Sequence, residues 1–168
     1  MDENQIDQIC LSDPSIQPYY FGSIASDEYP EKWPSVGMYI LNSQPRSMAG
    51  EHWSALALSM TQSNRCDYVD SFARPPPDAL KNSLLNQGWK IVWNDVTLQH
   101  FLTQSCGKIS LLFLKLWSAG YETSEIVQEY LFNTPSNDPF KNEAFSEHLI
   151  SLISPVERGR IVSSVNIR

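Results

Sequence analysis

Residues 109–117, Ile-Ser-Leu-Leu-Phe-Leu-Lys-Leu-Trp, are apolar at every position except Ser110 and Lys115. A helix apolar nearly all round is stable only when other elements cover it, so this segment belongs at the centre of a domain. Lys108 and Lys115, seven residues apart, mark its one polar edge. Cys106 and Gly107 stand directly before the apolar run, which places a thiol where the helix begins. The first N–H groups of a helix lack internal partners and the positive end of its dipole lies there, and both favour thiolate over thiol. Gly107, having no side chain, is expected to let a substrate backbone come close. Taken alone, the segment is read as holding a buried, inert cysteine. A reactive one needs a histidine and a carboxylate supplied from elsewhere in the chain.

At 168 residues the chain is read as one domain, 1–168, large enough to bury a core without disulfides or metal. Three cysteines, Cys10, Cys66 and Cys106, are an odd number without regular spacing, which indicates neither a disulfide framework nor a zinc site. A reducing compartment is expected. The acidic start Met-Asp-Glu-Asn-Gln and the lack of an apolar run near the roughly 18 residues of a spanning helix give no sign of a signal peptide or membrane span. A net charge of −7 argues against a dedicated nucleic-acid binder, which needs a basic face for phosphates.

Taken in order, residues 3–11 form a short amphipathic helix with Ile6, Ile9 and Cys10 on one side. Pro18 to Pro34 is aromatic, punctuated by proline, and expected to be irregular chain. Strands are predicted at 36–41, 52–58 and 66–72, the last two joined by the polar tip 59–65, and a fourth at 89–93. Between them Asp78 is expected to cap a helix that Gly88 stops. After the central helix, which ends near Gly120, Thr123 is expected to cap a helix to about 132. Asp138-Pro139 opens a last helix, followed by a tail from Pro155.

The hairpin carries the second informative pair. Residues opposed in an antiparallel pair lie symmetrically about the turn, and His52 and Asp70 centre on residue 61, inside the tip. Both are even-numbered, like Leu56 and Leu58, so they share one face of the sheet. A carboxylate beside an imidazole orients the ring and supports its charge. His52, Asp70, Gln99 and Cys106 thus supply a base, an orienting acid, an amide donor and a nucleophile, the set that acyl transfer requires.

With these residues in view the sequence resembles the adenovirus maturation protease (adenain) family of cysteine endopeptidases, related to the SUMO-deconjugating proteases, over most of residues 5–118. Gly50-Glu51-His52-Trp53 resembles the family's Gly-x-His-Trp, and Tyr68-Val69-Asp70-Ser71-Phe72 its acid motif. Gln99 stands seven residues before Cys106, the family's spacing between oxyanion glutamine and nucleophile. The resemblance implies an α+β fold in which a small mixed sheet bearing His52 and Asp70 packs on a central helix presenting Cys106. It implies peptide-bond hydrolysis in processing viral capsid and core precursors, by a monomer located in the host nucleus or cytoplasm and the virion. Two other functions fit the same residues: removal of ubiquitin-like modifiers, and a catalytically silent scaffold, which would not need His52, Asp70 and Gln99 together.

The chain departs from the family in three ways. Lys108-Ile109-Ser110 stand where aromatic and cysteine residues usually follow Cys-Gly, the C-terminal end is shorter, and the charge is acidic rather than basic. The family's activators find no support: a peptide held by a disulfide shortly before the oxyanion glutamine lacks its cysteine, since none lies between Cys66 and Cys106, and DNA meets a net charge of −7. An activating peptide added as a strand by backbone bonds alone is compatible with the sequence. No cofactor or metal is expected. His100 is expected to face outward or cap a turn, and His148 to lie in a core. Cys10 and Cys66 are expected to be buried, and Arg158, Arg160 and Arg168 to form a solvated basic tail.

Overall fold

The computed structural model describes residues 1–61 and 63–131. The helix expected from Asp138, His148 within it, and the basic tail Arg158, Arg160 and Arg168 lie outside these residues. Among the described residues the chain is α+β: a five-stranded mixed sheet with helices on both faces. The strands are β1 (Tyr20–Ile24), β2 (Val36–Asn42), β3 (Trp53–Ser59), β4 (Arg65–Asp70) and β5 (Lys90–Trp93), in spatial order 1-2-3-4-5. β2, β3 and β4 are antiparallel, and β1 and β5 join the two edges in parallel. The helices are α1 (Glu3–Ser12), α2 (Asp78–Leu85), α3 (Cys106–Ser118) and α4 (Thr123–Glu125), the last running on as a π-helix over Ile126–Leu131.

The central strands are apolar without alternation because helices cover both faces. Met38, Ile40, Ala55, Ala57 and Val69 meet α1 and α3 on one face. Tyr39, Leu41, Leu56, Leu58, Cys66 and Tyr68 meet α2 and Trp33 on the other. Side-chain size is divided accordingly. Two alanines of β3 lie under α3, leaving room for Leu111, Phe113 and Leu114, all fully buried. Full burial of such a side chain contributes about 1.5–3 kcal/mol, several times the helix propensity of any one residue, so packing rather than propensity holds α3 in place. At its far end Lys115 Nζ donates to Asp13 Oδ2 at 2.6 Å, tying α3 to the end of α1.

Local signals and the structure part in three places. Tyr20–Ile24, expected to be irregular, is an edge strand with a register shift between Tyr20 and Gly22, where Gly22 takes φ +116°. Asp78 is the first residue of α2 rather than its cap, which is Pro77. Likewise Glu122 caps α4, closing a reciprocal box with Glu125, and the Thr123 hydroxyl is spent on Asp67 instead. The stops fall where glycine marks them. Gly88 at φ +81° closes α2 through Gly88 N–H to Leu85 O and Trp89 N–H to Leu84 O, the paired bonds of a left-handed helix end.

Asp67 ties this side of the molecule together. Its buried carboxylate accepts from Arg65 Nη2 at 2.7 Å, from Trp117 Nε1 at 3.3 Å and from the Thr123 hydroxyl, joining β4 to the end of α3 and the start of α4. Asp67→Asn keeps the volume but turns an acceptor shared by donors from three residues into an amide. We expect a loss of about 1–3 kcal/mol, the cost of a buried polar group left without its partner. A fall in the urea midpoint of unfolding checks it; an unchanged midpoint contradicts it.

Candidate active site

β3 leaves one end of the sheet and β4 returns to it, so the start of β3 and the end of β4 lie side by side. The observed register pairs Asp70 with Ser54, not with His52. The tip between Ser59 and Arg65 is five residues long, with Ser63 and Asn64 both in the left-handed region at φ 62° and 57°, and it is therefore centred one residue later than expected. The shift is two positions along β3, so parity survives, but His52 is pushed just outside the strand, diagonal to Asp70.

This displacement places the imidazole. Asp70 shares its strand face with Tyr68 and Leu56, on the α2 side of the sheet, whereas α3 packs on the opposite side. A histidine inside β3 would be confined to one face. Lying beyond the sheet's end, with its carbonyl held by Ser43 N–H at 3.0 Å, His52 meets both groups. Its Nε2 lies 2.9 Å from Asp70 Oδ2, and the ring interacts with the Cys106 thiol as well. With Nε2 engaged by Asp70, Nδ1 is the ring nitrogen left for sulfur. Gly50 is what brings the chain to this point: a Cβ there would stand 2.1 Å from Asn42 Nδ2, and Asn42 is itself held by Gln44 N–H to its Oδ1 at 2.9 Å.

Cys106 is the first residue of α3, as its sequence position indicates, and is partly buried. Burial alone would push its pKa up; hydrogen bonds from His52 and from the backbone N–H groups of Trp53 and Gly107 outweigh burial, and the thiol is held below its ordinary value. For His52 burial alone would push the pKa down, but the bonds to Asp70 and Cys106 win and raise it from 6.5 to about 9. Both shifts run in the same direction, toward the charged forms of imidazole and thiol, with Asp70 behind the ring. Asp70 is almost wholly buried, its Oδ1 accepting Phe72 N–H at 2.7 Å while Oδ2 serves His52. The Phe72 ring centroid lies 5.1 Å from that of the imidazole, and the Arg74 guanidinium sits over the same Phe72 ring, 5.1 Å from its centroid.

Gly107 does not open to substrate. The atoms facing its missing side chain are Trp53 Cδ1 at 3.4 Å, Ile6 Cδ1 at 3.5 Å and Met1 Cβ at 3.6 Å, so it lets Trp53 and α1 close over the start of α3. Gln99 lies buried in the loop before α3. Its Oε1 accepts from Ser71 Oγ at 2.7 Å and its Nε2 donates to Thr103 O at 2.5 Å, linking the residue after Asp70 to the loop before Cys106. Nε2 carries two hydrogens, and Thr103 takes one of them. His100 caps a turn, as expected: its Nδ1 accepts Leu102 N–H at 3.2 Å. Cys10 and Cys66 are buried. A cavity of about 120 Å³ touches His52 and Asp70 from the α2 face, away from the sulfur, among Tyr29, Leu41 and Pro77.

Sequence reasoning missed Asn94 and Ser71. Asn94 follows directly on β5, a buried polar residue where an exposed strand ends, and a polar residue after the run Ile91-Val92-Trp93 is the signal the sequence offers. Among the described residues no group of His, Cys, Asp and Glu is arranged to hold a metal ion, and no helix is long and apolar enough to cross a membrane.

The fold, a mixed sheet whose end is met by a helix beginning with Cys106, is similar to that of solved structures of low sequence identity, among them a protease. The ASFV pS273R protease superimposes with a TM-score of 0.60 at 15% identity, over 88% of this chain and 66% of that one. The chain therefore spans just under two thirds of the length of that protease. The central domain of the uncharacterized Lpg1148 protein from Legionella pneumophila superimposes with a TM-score of 0.51 at 15% identity, over 91% of this chain and 97% of the other. No family model and no curated protein sequence matches the chain.

Proposed function

We propose that this protein is a cysteine endopeptidase in which Cys106 is the nucleophile, His52 the general base and acid, and Asp70 the group that orients His52. The observation that carries the reading is the unbroken line from Asp70 through His52 to Cys106 across the end of the sheet. The thiolate attacks the scissile carbonyl, and the C–N bond of the tetrahedral intermediate breaks as the imidazolium gives its proton to the leaving amine. Water, deprotonated by the neutral imidazole, then hydrolyses the thioester. The oxyanion falls to the Cys106 region at the start of α3, with the second Nε2 hydrogen of Gln99 as the side-chain donor.

For substrate we take the processing of viral precursor polypeptides, in keeping with the resemblance of Gly50–Trp53, Tyr68–Phe72, Gln99 and Cys106–Gly107 to the adenain family. We take it to act as a monomer, in the host nucleus or cytoplasm and the virion. A disulfide-held peptide activator has no counterpart here, because Cys10 and Cys66 are buried and lie far from Gln99 in sequence. DNA contributes little at a net charge of −7.

A mass-spectrometric profile of cleavage on a diverse peptide library tests the reading. We expect turnover at peptide bonds preceded by glycine, abolished by prior alkylation of Cys106. Cleavage only of ubiquitin-like modifier conjugates would move the assignment to modifier removal, and no cleavage of either class would leave a silent scaffold.

A further inference from the structure

We propose that Asn94 is a positioning residue that holds the Asp70 backbone, and through it the carboxylate, in register with His52. Asn94 is 4% exposed and follows the last residue of β5. Its Oδ1 accepts Asp70 N–H at 3.0 Å, and its Nδ2 donates to Asp70 O at 2.7 Å and to Val96 O at 3.0 Å. Two of these bonds clamp one residue through both of its backbone groups. The ladder between β4 and β5 ends at Tyr68 and Trp93, so Asp70 lies two residues beyond the last parallel pair, where a strand frays. The carboxamide stands in for the missing rung.

The next residue is held from the same loop. Ser71 O accepts from Leu98 N–H at 2.8 Å and Gln99 N–H at 3.0 Å, and Ser71 Oγ donates to Gln99. With its backbone fixed and Oδ1 taken by Phe72 N–H, the Asp70 carboxylate is left one direction in which to present Oδ2, the direction of His52. A displacement of about 1 Å in such a group costs on the order of 10²-fold in rate.

The inference rests on the reading of Cys106, His52 and Asp70 as a proton-transfer line, and its test needs no substrate. In the full chain, Cys106 alkylation by iodoacetamide is followed against pH well below the melting temperature, in the wild type, in Asn94→Ala, and in Asp67→Asn as a control destabilised in the middle of β4. We expect the alkylation midpoint of Asn94→Ala to rise by about one pH unit, a tenfold loss of thiolate at acid pH, with the control unmoved. Where peptide turnover is measured, kcat falls with KM unchanged. Asn94→Ser, which keeps a short polar group in the cavity, serves if the alanine variant does not fold, and should shift the midpoint in the same direction. A midpoint that stays within about 0.2 units of the wild type, or that moves equally in the control, overturns the proposal. A shifted midpoint in a protein that cleaves nothing would preserve the positioning role and remove the protease reading; an unshifted one in an active protease would do the reverse.

Discussion

Cys106→Ala is expected to abolish peptide hydrolysis, by on the order of 10⁶-fold in kcat, while leaving the urea midpoint close to the wild type. The loss is large because the other groups act only through the sulfur: His52 has nothing to deprotonate and Asp70 nothing to support. Alkylation should find the same residue. Burial pushes Cys10 up to about 12 and raises Cys66 further, while Cys106 is lowered and partly exposed, so iodoacetamide should label Cys106 alone at neutral pH. The pH dependence follows from the two shifts. His52, raised from 6.5 to about 9, contributes stability that is fully present below pH 6.5 and lost as pH rises through about 9. Cys106, lowered from 9.0, contributes stability present above 9.0 and lost as pH falls through its lowered value. Both charges coexist between that lowered value and about 9. Hydrolysis should therefore fade as pH passes about 9, when the imidazolium that protonates the leaving amine is lost. Activity that survives Cys106→Ala, or preferential labelling of Cys10, would falsify the assignment.

Asp70→Asn should lower kcat by on the order of 10⁴-fold with little change in KM. The asparagine can still accept Phe72 N–H at Oδ1, so the strand end should hold its shape. Its Nδ2, however, now points a donor at His52 Nε2, where Asp70 Oδ2 had been an acceptor. The imidazole must then carry its proton on Nδ1, the nitrogen left for the thiol, and cannot take the proton of Cys106. With the carboxylate gone, the charge that raised His52 is gone too, and the alkylation profile of Cys106 should move to higher pH. Turnover within about tenfold of the wild type in a folded Asp70→Asn protein would remove Asp70 from the mechanism.

Several features of this protein are decided by the sequence locally. The apolar run 109–117 can exist only as a covered helix, and Cys106 precedes it by too little to stand anywhere but its first turn. Gly88 and Gly120 stop their helices because each takes a positive φ, and along each strand alternate residues share a face, because a strand alternates with period 2. Other features are settled only by contacts between distant segments. β1 is a strand because β2 offers it an open edge, not because Tyr-Phe-Gly-Ser-Ile is a strong strand sequence. The hairpin register turns on left-handed backbone at Ser63 and Asn64, residues that do not announce it as glycine would. That register moves His52 off the strand and around the end of the sheet, where the two faces meet. The same holds for Asn94, an ordinary polar residue in sequence, which becomes a clamp only because β5 ends beside Asp70. Residue types and periodicity specify which groups the chain carries and which face they start from; the distances that let them react depend on turn geometry and on where strands stop, and these are set by the packing of the whole sheet.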